Sequence, residues 1–157
     1  NLPIGQGISV TPIQTIQAYG ALANGGILRR PQLIEKIGDQ EVAPDPGKRV
    51  ISPEVAAEVR TMLEGVLAPG GTASEVSVPG YTLAGKTGTA QIATEDGYSD
   101  SQYVASFMGI APAQNPAVAI SVIVNQPQNG HVGGEVAAPA FGELASFVLP
   151  YLGVPTE

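Results

Sequence analysis

The sequence predicts an α+β fold in which helices cover an antiparallel β-sheet. Three observations predict it. The elements run helix, helix, three strands, helix. The last strand candidate is apolar on both faces, which requires cover on both sides. The connections between strand candidates are short and turn-like, as in hairpins.

The first helix opens at Thr11-Pro12-Ile13-Gln14, with Thr11 as cap, Pro12 in the first helical position and Gln14 closing a capping box. Ile13, Ile16, Gly20 and Ala23 share a face, and Asn24-Gly25-Gly26 provides a left-handed stop. The segment is nearly free of charge and is expected to be buried on most sides. Leu33 to Ile37 reads as a short strand, and Ala43-Pro44-Asp45-Pro46-Gly47 as a turn. Ser52-Pro53 opens a second helix. Val55, Val59, Met62, Leu63 and Val66 are its apolar stripe, with Glu54, Glu58 and Glu64 outside it. Ala68-Pro69-Gly70-Gly71 ends it, and Thr72 to Val76 suits one more helical turn.

Strands are expected at Thr82 to Ala90, Val104 to Ile110 and Val118 to Val124. A polar loop, Ile92 to Ser101, and a turn, Pro112 to Pro116, join them. A last helix is expected from Ala138 to Leu149, with Phe141, Leu144, Ala145, Val148 and Leu149 on its apolar face. A three-stranded sheet is small for 157 residues, so at least one edge is expected to pair with something outside the chain.

Composition narrows the function. Hydrophobic residues make up 43% and charged residues 13%, which is enough apolar side chain for a core. A net charge of -7 argues against nucleic acid and anionic membrane surfaces as partners. Absent cysteine removes disulfides and thiolate metal sites. The lone His131 makes a poor metal site and reads as a surface residue in a loop. Glu95, Asp96 and Asp100 read as a solvated acidic loop without EF-hand spacing. No metal and no cofactor is expected. The chain starts at Asn1-Leu2-Pro3 without an initiator Met and reads as a piece of a longer protein.

One motif carries chemistry. Gly80 to Thr87 matches G-x-x-x-x-G-K-[ST], the phosphate-binding P-loop. That loop needs a strand before it and a helix after it. Here Tyr81 to Ala84 reads as strand, Gly88 interrupts any helix, and the strongest strand elsewhere ends at Asn125 rather than at an Asp. Alternatively, Lys86-Thr87-Gly88 is the K-T-G element of penicillin-reactive serine acyl-transfer enzymes. The Lys86 ammonium would stabilise negative charge and aid proton movement beside a reacting serine. Thr87 and Thr89 offer hydroxyls to a carboxylate. Gly88 lets a substrate backbone lie close, and the Thr89 amide can meet an oxyanion.

Stretches around this motif resemble class B, monofunctional penicillin-binding proteins. They are Ile4 to Gln14 (G-Q-G-x-x-V-T-P-x-Q), Ala18 to Gly26 (A-Y-x-x-x-A-N-G-G), Gly71-Thr72-Ala73, Lys86 to Gln91, Tyr103 to Gly109, and Gly133 to Phe141 (G-G-x-x-A-x-P-x-F). The chain departs from the family where an aromatic residue often precedes the G-G pair; here His131-Val132 stands there.

The resemblance implies the C-terminal half, residues 1–157, of one transpeptidase domain of the penicillin-binding and serine β-lactamase type. Lys86 would be catalytic, and Thr87, Gly88 and Thr89 would bind substrate. The implied activity is peptidoglycan D,D-transpeptidation through a serine acyl-enzyme. The implied partners are peptidoglycan stem peptides, β-lactams, the missing N-terminal half and proteins of a division or elongation complex. The implied location is the extracytoplasmic side of the bacterial membrane, with an N-terminal anchor on the parent. The family's S-x-x-K and S-x-N motifs are not in the sequence: Leu33, Asp45 and Leu83 stand three before the three lysines, and no Ser has Asn two positions later. The chain alone is therefore expected to be inactive. A non-catalytic penicillin-sensing or scaffold homologue is the alternative, and a P-loop nucleotide-binding protein a remote one.

Overall fold

The computed structural model describes residues 1–95 and 97–157. A short 3-10 turn, Leu2–Ile4, leads into helix α1 (Pro12–Ala23). The capping box forms: the Gln14 N–H donates to Thr11 Oγ1 at 3.2 Å, and the Thr11 N–H donates to Gln14 Oε1 at 2.9 Å. Asn24 closes the far end by bonding both the N–H and the C=O of Ile27.

Two small hairpin-like pairs follow, β1 (Ile27–Leu28) with β4 (Lys48–Arg49), and β2 (Lys36–Ile37) with β3 (Gln40–Glu41). The strand expected from Leu33 shrinks to Lys36–Ile37, because no core lies beneath it. Leu33 is 98% exposed. Helix α2 (Pro53–Glu64) starts on Ser52, whose hydroxyl accepts the Val55 N–H at 3.3 Å. Thr72 to Val76 forms turns rather than a helix, with Ala73 and Val76 buried.

The main sheet contains β5 (Ala84–Thr94), β6 (Gly97–Ala111) and β7 (Val118–Asn125) in the order β5-β6-β7, all antiparallel. Strands β5 and β6 extend well past their expected ends. The polar stretch read as a loop is mostly two strand arms, because ladder hydrogen bonds need no apolar side chains. A register shift between Gln91 and Ala93 marks where the arms begin. Glu95 and Asp100 are exposed, and Asp96 lies outside the described residues.

Both faces of the sheet are covered at its β7 end. On one face Phe107, Ala111, Val118, Ile120 and Val122 meet Phe141, Ala145 and Leu149 of helix α4 (Ala138–Tyr151). The Phe107 and Phe141 rings stand 5.0 Å apart. On the other face Ala84, Ile110, Ala113 and Ala119 meet Tyr19, Leu22 and Ala23 of α1 and Leu63 of α2. A four-residue helix, α3 (Gly133–Val136), precedes α4.

Three packing expectations are corrected. Helix α1 buries only Ala21, and Ile13 is 55% exposed, because the sheet and α2 cover it on two sides and leave the third open. Helix α2 is rotated from its expected stripe: Val55 and Met62 face solvent, while Ala56 and Arg60 are buried. Small Ala56 permits close approach to β5, and the Arg60 guanidinium donates to Ala113 O at 3.0 Å and Leu22 O at 2.7 Å. In α4, Leu144 faces outward and Gly142 takes its place inside.

Candidate active site

Lys86, Thr87, Gly88 and Thr89 lie extended in β5, at the free border of the sheet. No helix starts at Lys86, so the phosphate-wrapping loop is not formed. The Gln91 N–H points away from β6 and donates to Gln6 Oε1 at 2.8 Å. Amide direction alternates along a strand, and the register is unbroken from Ala84 to Gln91. The Thr87 and Thr89 amides therefore also point off the sheet border. The Thr87 carbonyl does so too, since it accepts the Lys86 ammonium at 2.8 Å.

A cavity of about 480 Å³ opens along this border. Lys86, Thr87 and Thr89 line it together with Thr72, Gln91, Tyr103, His131, Val132 and, from the first segment, Asn1, Ile4 and Gln6. Gly88 does not line this cavity. It lines a larger groove of about 860 Å³ with Ala90, Ser106 and Met108, a groove that Thr87 and Thr89 line as well. Lys86, Thr87 and Thr89 line both. All four residues singled out in the sequence line the larger groove, and all but Gly88 also line the smaller cavity.

Neighbouring chain fixes the hydroxyls. Thr87 is 9% exposed, and its Oγ1 lies 2.9 Å from Thr72 Oγ1. Thr89 Oγ1 accepts the Gly133 N–H at 3.1 Å. This contact depends on the glycine pair. A Cβ on Gly133 would fall 2.4 Å from the carbonyl oxygens of Gly88 and Ser106, and one on Gly134 only 1.9 Å from Thr72 O. On the outer side Gly5 presses on the strand, 3.1 Å from its Cβ position to Thr89 N.

His131 is exposed and lies in the loop before α3, as expected. Its ring stacks on Tyr103 with centroids 4.4 Å apart and forms one wall of the cavity. Sequence reasoning gave no role to Thr72, Gln6 or Tyr103. Thr72 lay within the quoted Gly71-Thr72-Ala73 stretch, and Gln6 within the segment before α1, so both were visible without a partner. Chemically, the border brings a cation and two hydroxyl-bearing residues to one cavity, while the outward amides of Thr89 and Gln91 face Gly5 and Gln6. Such a set of groups can hold an anionic ligand. Among the described residues no group of three or more His, Cys, Asp or Glu could hold a metal.

The sequence profile of the penicillin binding protein transpeptidase domain matches residues 1–146. The chain belongs to that family. It is 39% identical, over 99% of its length and 26% of the relative's, to the probable peptidoglycan D,D-transpeptidase PenA of Neisseria gonorrhoeae. Two solved structures are similar. The transpeptidase domain of Burkholderia pseudomallei penicillin-binding protein 3 gives a TM-score of 0.84 at 41% identity, over 96% of this chain and 45% of that one. Penicillin-binding protein 3 of Mycobacterium tuberculosis, complexed with ampicillin, gives 0.88 at 36% identity, over 100% and 38%. The chain spans about a quarter of the length of the curated relatives it matches.

Proposed function

We propose that this chain is the C-terminal half of a serine D,D-transpeptidase domain that cross-links peptidoglycan stem peptides and is acylated by β-lactams. The observation that carries the reading is the extended Lys86 to Thr89 segment on the edge strand of the sheet, with Lys86, Thr87 and Thr89 lining one cavity. Similarity to less than half of a Burkholderia transpeptidase domain supports the half-domain part. Similarity to an ampicillin complex supports the β-lactam part.

A serine from the preceding half would attack the penultimate D-Ala carbonyl. The peptide C–N bond breaks, terminal D-Ala leaves with a proton, and an amine of a second stem peptide later takes the acyl group. Lys86 would stabilise charge and aid proton transfer near that serine. The Thr89 N–H, which Gly5 faces here, would meet the oxyanion once substrate displaces that segment, a donor worth about 3 kcal/mol in the transition state. The Thr87 and Thr89 hydroxyls would hold the carboxylate. Gly88 would let the peptide lie against β5 as an added strand. The parent would act on the outer side of the cytoplasmic membrane, held by an anchor outside residues 1–157. Among the described residues no helix is long and apolar enough to cross a membrane.

The test is labelling with a fluorescent penicillin. The parent should label covalently, and Lys86→Ala in the parent should lose labelling. The 157-residue chain alone should not label. Stable labelling of the isolated chain would refute the assignment of the nucleophile to another segment.

A further inference from the structure

We infer that Thr72 belongs to this site as a positioning residue that sets the direction of the Thr87 hydroxyl, and through it the recognition of a substrate or β-lactam carboxylate. The inference rests on the carboxylate role proposed above for Thr87.

Thr72 and Thr87 are 15 residues apart in sequence, yet their hydroxyl oxygens lie 2.9 Å apart. Thr87 is nearly buried, whereas Thr72 is exposed and lines the same cavity as Lys86. Each hydroxyl carries one proton. Whichever oxygen donates in the pair, one O–H is consumed and one remains. If Thr72 donates, the Thr87 proton is left for an incoming carboxylate. If Thr87 donates, the proton of Thr72 is left instead. In both arrangements the remaining donor sits on the oxygen that already accepts a bond, which strengthens it as a donor. The pair therefore presents a single, oriented donor rather than a free rotor.

The two threonines of β5 are held alike. The Thr89 oxygen accepts the Gly133 N–H and keeps its own proton for the cavity. The Thr87 oxygen finds its partner in Thr72. Gly134 backs that partner: a Cβ there would stand 1.9 Å from Thr72 O and 3.5 Å from Thr87 Cγ2. The start of α3 thus clamps both hydroxyls from one side. Without the Thr72 hydroxyl, Thr87 would lose its fixed rotor direction and the polarising bond.

The experiment uses the full-length parent and measures acylation by a penicillin and by the methyl ester of that penicillin. Thr72→Ala should slow acylation by the free acid about tenfold, the value of one oriented hydrogen bond. The ester, which lacks the carboxylate charge, should slow by no more than about twofold. Thr72→Ser should restore most of the acid rate. With Thr72 as the donor acting through Thr87, the double variant T72A/T87A should be no slower than T87A alone; a slower double variant would mean that Thr72 itself meets the carboxylate and would overturn its positioning role. If T72A is too unstable to assay, Thr72→Val keeps the shape and removes the hydroxyl. An unchanged acid rate in T72A, or equal slowing of acid and ester, would overturn the inference. If T87A itself keeps the preference for acid over ester, the carboxylate role of Thr87 fails first. If T87A loses that preference and T72A keeps it, only the role of Thr72 falls.

Discussion

Replacing Gly134 with Ala should damage both stability and acylation, and the size of each effect follows from the packing. The new Cβ would stand 1.9 Å from Thr72 O and 3.1 Å from Thr72 C. Ordinary contact requires a further separation of more than about 1 Å. Neither side yields easily. Ala73, next to Thr72, is 3% exposed and its N–H donates to Val66 O at 2.9 Å. Gly133, next to Gly134, is wedged against Gly88 and Ser106. Overpacking of this kind costs about 1–3 kcal/mol. For a domain of this size that lowers Tm by about 2–12 °C. A displacement near 1 Å at positioned groups costs about 100-fold in rate. The assays are thermal denaturation of the chain and penicillin labelling of the parent. Glu135→Ala, at the exposed neighbour, is the control and should stay within about 0.5 kcal/mol. A Gly134→Ala protein with unchanged Tm and unchanged labelling would refute the claim that α3 clamps Thr72.

Arg60→Ala should destabilise by about 3 kcal/mol, read from urea unfolding, because it orphans the carbonyls of Leu22 and Ala113 that the guanidinium now satisfies. Arg60→Lys should recover only part of this, since one ammonium lacks the fork that spans both. Ser121→Ala should stabilise by up to about 1 kcal/mol in the same assay, because Ser121 Oγ is buried without a partner among the described residues. Asp45 accepts the Arg30 N–H at 2.7 Å and the Gly47 N–H at 3.2 Å, and these bonds, with Arg30 and Arg29 nearby, hold its carboxyl below the ordinary aspartate range. Its contribution is present above that range and lost as pH falls through the lowered folded value. Asp45→Asn should flatten this part of the stability profile in acid-titrated unfolding.

The sequence by itself determined the helix starts, the strand order and the chemistry-bearing string. Thr11, Gln14, Asn24 and Ser52 act through bonds to backbone within a few residues, so local pattern suffices. Val118 to Val124 announced a two-faced strand for the same reason. The facing of α2 and α4 was not legible, because it depends on which small residue a neighbour can approach: Ala56 rather than Val55, and Gly142 rather than Leu144. Strand length was not legible either, since polar arms are held by ladder bonds to a partner strand. At the site, Lys86, Thr87 and Thr89 were readable as chemistry. Their hydroxyl partners were not: Thr72 and Gly133 reach β5 from 15 and 44 residues away. Only folding brings them to the border, because hydrogen-bond range is a few ångströms in space and indifferent to distance along the chain.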